Sequence, residues 1–332
     1  MLHTADLTLR PLTADDAPSM YNNWTWDERV ARYCRWYPHT DLSQIEQLLQ
    51  NYLTDGNPLR WGIEWHNELI GMIDVVNADR ECATLGYVLS HDYWNRGFMS
   101  QALAAVIEHL FSCGFSAVAA EHHAENGASG RVMEKCGMRI IGTRTTQRKF
   151  GSEETCLVKC YRIDAIGLKR RALSVVSHRP CWARLAQAEI DRLKAALGKS
   201  AVDIQHVGST AIPHIMAKPI IDLAVGTTDM DSAIVRLTEA GATCHGEEVA
   251  DEIFFTEGYD DVRTFHIHLC QFDGKVWKDY LNFRDYLTAR PEKAAEYEVY
   301  KRDAITKYDR VAYTANKQPL IERFLREAAQ WR

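Results

Sequence analysis

Two stretches of this 332-residue chain carry residue types that could do chemistry where a strand turns into a helix. The first is Trp94-Asn95-Arg96-Gly97-Phe98-Met99-Ser100, where a glycine lets backbone amides at a helix start converge on an anion such as a pyrophosphate. The second is Gly208-Ser209, followed by Asp222 on the next strand: a hydroxyl and a carboxylate placed where a nucleoside triphosphate could sit. Either stretch alone also reads as an ordinary strand-to-helix connection. The elements around them must decide.

Those elements are legible from periodicity and turn chemistry. Thr8 to Leu12 reads as a strand, with Thr13 and Asp15-Asp16 capping a helix that runs to Tyr21. Thr40-Asp41-Leu42-Ser43 starts a second helix, which reaches about Leu53 before Asp55-Gly56-Asn57-Pro58 breaks it. Trp61–Trp65, Leu69–Val76 and Ala83–Leu89 then form a meander across polar turns. After Leu89 the period changes, and Phe98, Leu103, Val106, Ile107 and Leu110 share one helical face that ends at Cys113-Gly114. Ser116–His122 is a strand, Ala128–Lys135 a helix, and Met138–Thr143 with Thr155–Tyr161 a closing hairpin. Lys169-Arg170-Arg171 marks a linker. Beyond it the pattern predicts a helix over Arg179–Leu197, strands over Val202–Val207 and Pro219–Val225, and a helix over Asp231–Ala240. Strands over Ile253–Thr256 and Thr264–Cys270 precede an all-helical tail from about Trp277.

Length and composition bound the function. A chain of this size exceeds what one core usually organises, so two domains are expected, at residues 1–166 and 167–332. The apolar and charged fractions are those of a globular protein, with no run long enough to span a membrane and no leader-like N-terminus, so a cytoplasmic enzyme is expected. The nine cysteines include no Cys-x-x-Cys pair and read as reduced and mostly buried. Charge is uneven: residues 1–166 hold 15 Lys/Arg against 21 Asp/Glu, and the remainder holds 24 of each. An acidic surface draws cations and repels nucleic acid, so aminoglycosides, polyamines or basic peptide ends suit it better than RNA or DNA.

The segment Gly86-Tyr87-Val88-Leu89 through Ser100, together with Asn126-Gly127-Ala128-Ser129 and Glu134-Lys135-Cys136-Gly137-Met138, resembles the GCN5-related N-acetyltransferases (GNAT). Within them it is most similar to the subgroup that acetylates ribosomal-protein N-termini, which also contains small-molecule acetyltransferases. The resemblance covers roughly residues 4 to 163. It implies an α/β fold of α+β type with a central mixed sheet. It also implies acetyl-CoA as cofactor, with its pyrophosphate on the amides around Arg96, Gly97, Phe98, Met99 and Ser100 and its pantetheine arm beside Val88 and Leu89. Asn126 and Ser129 would face the arm and the sulfur. Met99 stands where Gly or Ala is commonest, and Met133 where many members carry a tyrosine acid.

Acyl transfer needs a neutral amine, a donor for the developing oxyanion and a proton source for the leaving thiolate. Ser129 is the candidate for stabilising the thiolate, and Glu121 or Asp74 for taking the amine proton; each carboxylate reads equally as a solvated or salt-bridged strand residue. His122 and His123 are nearby alternatives. Trp24, Trp26, Tyr33, Trp36 and Tyr37, interleaved with Asp27 and Glu28, read as an acceptor pocket for a cationic amine or as an aromatic packing face. The assigned pocket residues are Trp26, Asp27, Glu28 and Trp36.

The rear half ends one strand at Gly208-Ser209 and carries Asp222 on the next, the layout of polymerase-like nucleotidyltransferases, which pair two carboxylates to hold magnesium. Here the second carboxylate position is Ala224, and the later strand reads His266-Ile267-His268. That histidine pair with Asp222 could ligate a softer metal, but paired histidines are commonly plain polar strand residues, and no metal is assigned. His206-Val-Gly-Ser-Thr-Ala-Ile-Pro213, Ala217-Lys-Pro-Ile-Ile-Asp222, Phe265-His-Ile-His268, Phe283-Arg-Asp-Tyr-Leu287 and Tyr313-Thr-Ala-Asn-Lys317 resemble the GrpB family, a branch of the nucleotidyltransferase superfamily. That resemblance covers residues 174 to 330. It implies a nucleotidyltransferase-like mixed sheet with a helical tail and a phosphate-type pocket near Gly208, Ser209, Lys218, Asp222, His266, His268, Arg284 and Lys317, for which a nucleotide with Mg or another phosphorylated ligand is expected, and it does not imply a reaction.

The sequence thus reads as an acetyl-CoA-dependent N-acetyltransferase acting on a small-molecule cationic amine, joined to a ligand-binding GrpB domain. No nucleic acid or membrane partner is expected. The alternatives are a peptide or ribosomal-protein N-terminal acetyltransferase with the rear domain as a non-catalytic sensor, and a bifunctional acetyl- and nucleotidyltransferase.

Overall fold

Runs of consecutive buried residues between Arg60 and Leu89 dictate strands covered on both faces, and the computed structural model of the chain forms them. It describes residues 1–332 apart from Arg171, Asp309 and Arg332 and the side chains of residues 248, 310, 311 and 313–315. The chain divides into two units, Met1–Asp164 and Ala165–Arg332.

The first unit runs β1 (Leu2–His3), β2 (Thr8–Arg10), α1 (Ala17–Met20), α2 (Glu28–Ala31), α3 (Leu42–Thr54), β3 (Arg60–Trp65), β4 (Glu68–Ala78) and β5 (Cys82–Leu89). It continues with α4 (Phe98–Ser112), β6 (Ala117–His123), α5 (Gly127–Lys135), β7 (Arg139–Gln147) and β8 (Thr155–Asp164). One sheet results, in the order β1-β2-β3-β4-β5-β6-β8-β7. Every described neighbour pair in it is antiparallel except β5 and β6, which α4 connects as a crossover.

That parallel pairing is short. It runs from Cys82↔Ala117 to Leu85↔Ala120 and stops, although β5 continues to Leu89 and β6 to His123. The two strands part beyond Leu85, leaving a gap in the middle of the sheet.

The expected helix from Thr13 to Tyr21 forms as one continuous helical run, 14–25, whose winding changes along its length. A 3-10 turn spans Ala14–Asp16, where buried Asp16 takes two hydrogen bonds from Arg10 at 2.8 Å. Then follow α1 and a π-helical turn, Tyr21–Thr25. Such turns insert an extra residue into the helical frame. Trp24 in this one is 1% exposed and packs with Met20, Ile45, Leu49, Leu69 and Met72, so it belongs to the core rather than to an acceptor pocket.

The second unit comprises β9 (Leu168–Lys169), α6 (Cys181–Leu197), β10 (Asp203–Val207), β11 (Ile221–Thr227), α7 (Met230–Glu239), β12 (Thr243–Val249), β13 (Glu252–Tyr259) and β14 (Val262–Gln271). The helices α8 (Lys275–Ala289), α9 (Pro291–Lys307) and α10 (Arg310–Trp331) close it. Its sheet order is β10-β11-β14-β13-β12, with β9 on β14. Again a single described pair, β11 with β14, is parallel. The tail helices bury Phe283, Tyr286, Leu287, Tyr297 and Phe324 in one core with Ile212 and Ile215.

Three sequence expectations need correction. Lys169 and Arg170 do not lie in a linker: Lys169 pairs with Val262, and the Arg170 amide donates to the Asp261 carbonyl at 2.6 Å, while Arg171 lies outside the described residues. Strand β12 went unread because it is an edge strand, polar and interrupted by irregularities at Cys244, Gly246 and Val249, so no period of two survives. The nine cysteines are all free, but just Cys181 and Cys270 are buried; Cys113 and Cys244 are exposed and the other five are half-buried. No described helix is long and apolar enough to cross a membrane. Trp24→Ala is expected to lower stability by about 3–5 kcal/mol, the range for emptying a buried aromatic site, measured by chemical denaturation.

Candidate functional site

In the first unit the turn after β5 is shaped by two residues with positive φ, Asn95 at 61° and Gly97 at 80°. Gly97 is the N-cap of α4 and has no side chain to cap it; the first backbone bond runs from the Gln101 amide to the Gly97 carbonyl. The amides of Phe98, Met99 and Ser100 therefore start a helix whose first turn holds no acidic residue, and nothing lies within 4 Å of where a Gly97 Cβ would stand. This is the open, electropositive helix end that an anion requires. The Arg96 guanidinium lies over the Tyr93 ring at 5.2 Å and near the Trp65 ring at 5.9 Å. Phe98 and Met99 are themselves buried in the core.

The gap between β5 and β6 is lined by alternate residues of β5. The Ser90 amide donates to the Ile70 carbonyl of β4, so alternation turns the Val88 backbone toward β4 as well. A Cβ on Gly71 would collide with the Val88 carbonyl, which places that carbonyl on the β4 side. Leu89 and Tyr87 face the other way, and the Trp94 indole donates to the Leu89 carbonyl at 2.9 Å. Of the two residues read as flanking a pantetheine arm, Leu89 presents its backbone to the gap and Val88 does not.

Side chains meet at this gap from both faces of the sheet. On the α5 side, the Tyr87 hydroxyl lies 2.8 Å from Ser129 Oγ and donates to the Ser129 carbonyl at 3.2 Å. Asn126 caps α5, accepting the Ser129 amide at 3.3 Å. Burial pushes the Tyr87 phenol well up, with the Ser129 hydrogen bond opposing, so it stays protonated. On the opposite face, Asp74 stands across from Gly86, the first β5 residue beyond the parallel pairing. Burial raises the Asp74 carboxyl above its ordinary value, against the pull of Arg60 at 3.4 Å.

The other carboxylates read from the sequence are engaged. Arg144 donates to both oxygens of Glu121, at 2.8 and 2.6 Å. Asp27 caps α2 through the Arg29 amide and binds the Arg29 side chain with both oxygens. The structure also separates the assigned pocket residues. Trp26 and Asp27 line a polar surface pocket with Asn22, Asn23, Arg29, Glu68 and Asp92. Glu28 is exposed on α2, and Trp36 packs against the core while its carbonyl accepts from Lys149 at 3.1 Å. A second pocket is walled by Tyr33, Arg35, Glu121, His122 and His123. His122 Nδ1 donates to the His123 carbonyl at 2.7 Å, and burial lowers its pKa, so this imidazole is neutral with its lone pair on Nε2.

In the second unit, Asp222 on β11 is the register partner of His266 on β14, and His268 lies two residues farther along the same face. Asp222 Oδ1 is 3.1 Å from His266 Nδ1 and 3.4 Å from His268 Nε2. His268 Nδ1 meets Glu252 Oε1 at 2.7 Å, and the Tyr280 hydroxyl donates to Glu252 Oε2 at 2.7 Å. Burial works against the charge on His268, but Asp222 and Glu252 hold its pKa up at about 9. Burial likewise works to raise the Asp222 carboxyl, yet the hydrogen bonds from His266 and His268 hold it well below the carboxylate range.

Gly208 packs directly over Asp222: its φ is +70° and a Cβ there would stand 2.5 Å from Asp222 Oδ2. Ser209 opens the short turn Ser209–Ala211 beside it. Arg284 donates to the Gln205 side chain and the His206 carbonyl, both at 3.0 Å, and is thereby anchored at the end of β10. Lys218 precedes β11 and Lys317 lies on α10, both half-buried.

Tyr87, Glu252 and Tyr280 received no role in the sequence reading. Alternation along Gly86–Leu89 points Tyr87 to the face opposite Asp74. Glu252 carries no comparable signal, because it reaches His268 through a register that local sequence does not encode.

Comparison with known proteins gives two family-model matches: "Acetyltransferase (GNAT) domain" over residues 6–139 and "GrpB protein" over residues 172–327. The glutamate-rich protein GrpB of Alkalihalophilus pseudofirmus is 34% identical over 174 residues, 49% of this chain and 99% of its own length. The uncharacterized N-acetyltransferase YoaA of Bacillus subtilis is 31% identical over 153 residues, 43% of this chain and 84% of its own. A crystal structure of the conserved protein GrpB from Enterococcus faecalis is 28% identical with a TM-score of 0.44, covering 48% of this chain and all of that one.

Gly208→Ala combines a backbone conformation, φ +70° with ψ −167°, that is essentially glycine's alone and costs other residues about 1–3 kcal/mol, with a collision at Asp222. A lowered thermal unfolding midpoint is expected, while Gly97→Ala, with open space around it, should lower the midpoint less.

Proposed function

The chain belongs to the GNAT acetyltransferases over its first unit and to the GrpB family over its second, and from this we propose an acetyl-CoA-dependent N-acetyltransferase acting on a cationic primary amine. Acyl transfer is the reaction class of the first unit. The single observation that carries the finer reading is the parting of β5 from β6 beyond Leu85, with a buried carboxylate on one face and a hydroxyl pair on the other.

Acetyl-CoA, when bound, supplies an acetyl thioester. The residues present fit such a group: the uncapped amides of Phe98, Met99 and Ser100 would take the pyrophosphate, and the strand edge at Tyr87 and the Leu89 amide, beyond the parallel pairing, would take the arm, the Leu89 carbonyl being engaged by the Trp94 indole. Asp74 takes the proton that the acceptor ammonium must lose. Its raised pKa suits a base that must also release that proton. Tyr87, held on Ser129 at 2.8 Å, gives its proton toward the leaving sulfur from the other face as its O–H turns from the Ser129 carbonyl. This arrangement separates base from acid by the thickness of the sheet, so neither quenches the other.

The cationic acceptor rests on the excess of 21 Asp/Glu over 15 Lys/Arg in the front half and on Glu68 and Asp92 around one pocket, where Arg29 neutralises the third acid, Asp27. An aminoglycoside or polyamine fits that charge; a peptide N-terminus is the competing acceptor. For the second unit we propose a phosphorylated ligand or nucleotide at Gly208, Ser209 and Asp222.

Mass spectrometry of products from the whole protein with acetyl-CoA and a panel of aminoglycosides, polyamines and N-terminal peptides tests the acceptor. An acetyl-sized gain on the polycations is expected, and a gain on peptides alone would replace that class. Asp74→Asn should cut kcat/KM by about 10²–10⁴ and abolish the acidic limb of the pH profile, because the base is lost as pH falls through its raised pKa. A retained acidic limb in this variant would sink the assignment. Tyr87→Phe and Ser129→Ala should each lower kcat more than they raise KM, read from initial rates at saturating acceptor.

A further inference from the structure

Beyond that reading, the geometry points to a divalent transition-metal site in the second unit, built from Asp222, His266 and His268, a role the sequence alone did not assign. The candidate ligand atoms, one from each residue, all lie within 4.8 Å of one another. Around a zinc-like ion with bonds of about 2.0–2.1 Å, tetrahedral ligand atoms stand roughly 3.4 Å apart. The carboxylate oxygen lies 3.1 and 3.4 Å from the two imidazole nitrogens, the spacing a shared ion requires, and an ion would draw the two rings to the same spacing.

Three features distinguish this set from polar strand residues that happen to meet. The first is its support: His268 Nδ1 is held by Glu252 Oε1 at 2.7 Å, and Glu252, 3% exposed, is held in turn by the Tyr280 hydroxyl. A histidine ligand backed by a buried carboxylate is the arrangement that fixes ring orientation in metal sites. The second is room. Register pairs His268 with Ala224, whose methyl group leaves the ring free to reach Asp222, and Gly208, lacking a Cβ, packs against the other carboxylate oxygen without displacing it. The third is access, since the side chains of Asp222, His266 and His268 retain 24%, 21% and 13% exposure.

Two imidazoles and one carboxylate favour a first-row transition ion over magnesium or calcium, which prefer all-oxygen shells. Three protein ligands leave coordination positions open, and the Gly208-Ser209 turn stands beside Asp222 Oδ2. An anionic group bound at the turn would complete the shell of the ion.

The test uses the full-length protein dialysed against chelator and titrated calorimetrically with Zn(II) and, separately, with Mg(II). One equivalent of Zn(II) is expected to bind, at least tenfold tighter than Mg(II). His266→Ala and His268→Ala should each weaken it more than tenfold, and Glu252→Gln by about 10–100-fold, the usual effect of removing a carboxylate behind a ligating histidine. Circular dichroism of each variant separates lost ligands from lost fold. Cobalt(II) added to the unaltered protein gives an independent readout, since bands of a four- or five-coordinate ion are expected. Absence of stoichiometric binding, equal affinity for Mg(II), unchanged Zn(II) affinity in the histidine variants, or octahedral cobalt spectra would each overturn the proposal. None of these readouts depends on acetyl transfer.

Discussion

Each sheet of this protein contains one parallel strand pair among the described residues, and each candidate site lies on it. A parallel pair cannot be closed by a hairpin; it requires the chain to cross over, and the crossover leaves the strand ends facing a loop or helix start instead of a tight turn. In the first unit the pair is β5–β6, and α4 begins where the crossover leaves β5. In the second it is β11–β14, which sets Asp222 beside His266 in register. Strand direction is therefore the constraint from which both arrangements follow.

The two sites use that constraint differently. Between β5 and β6 the pairing ends after four residue pairs, and the backbone beyond it keeps hydrogen-bonding capacity that the sheet does not consume. Unmade backbone hydrogen bonds at half-buried positions are costly, so the gap is a place where an extended polar molecule gains by completing the ladder. Between β11 and β14 pairing is continuous from Ile221↔Phe265 to Thr227↔Gln271, and nothing is left for a backbone partner. There the side chains carry the chemistry, with one carboxylate facing two imidazoles.

Charge neutralisation decides which acids remain available. Glu121 and Asp27 are held by Arg144 and Arg29, and their carboxylates serve as ion-pair partners and a helix cap. Asp74 is less well compensated, and burial holds its pKa up. In the second unit the loss of a strand carboxylate at Ala224 is offset by Glu252 from the neighbouring strand, reaching Asp222 through His268 instead of standing beside it. The position of charge in that pocket is thus different from a paired-carboxylate magnesium site.

Much of this was determined by the sequence alone. Period and capping residues placed α3 at Asp41, α4 after Gly97 and α5 over Ala128–Lys135, and the motifs identified both families, because those signals are local and each residue acts within a turn or two of itself. The anion-accepting turn belongs to the same class, since Gly97 and the helix behind it are contiguous. Tertiary structure alone decided the rest. Where β5 parts from β6, which face Tyr87 and Asp74 occupy, that Trp24 fills the core, and that Glu252 stands behind His268 all depend on register between strands distant in sequence. A register is set by the summed packing of whole faces, where one residue of slip inverts every side chain, and no single stretch of sequence contains that sum.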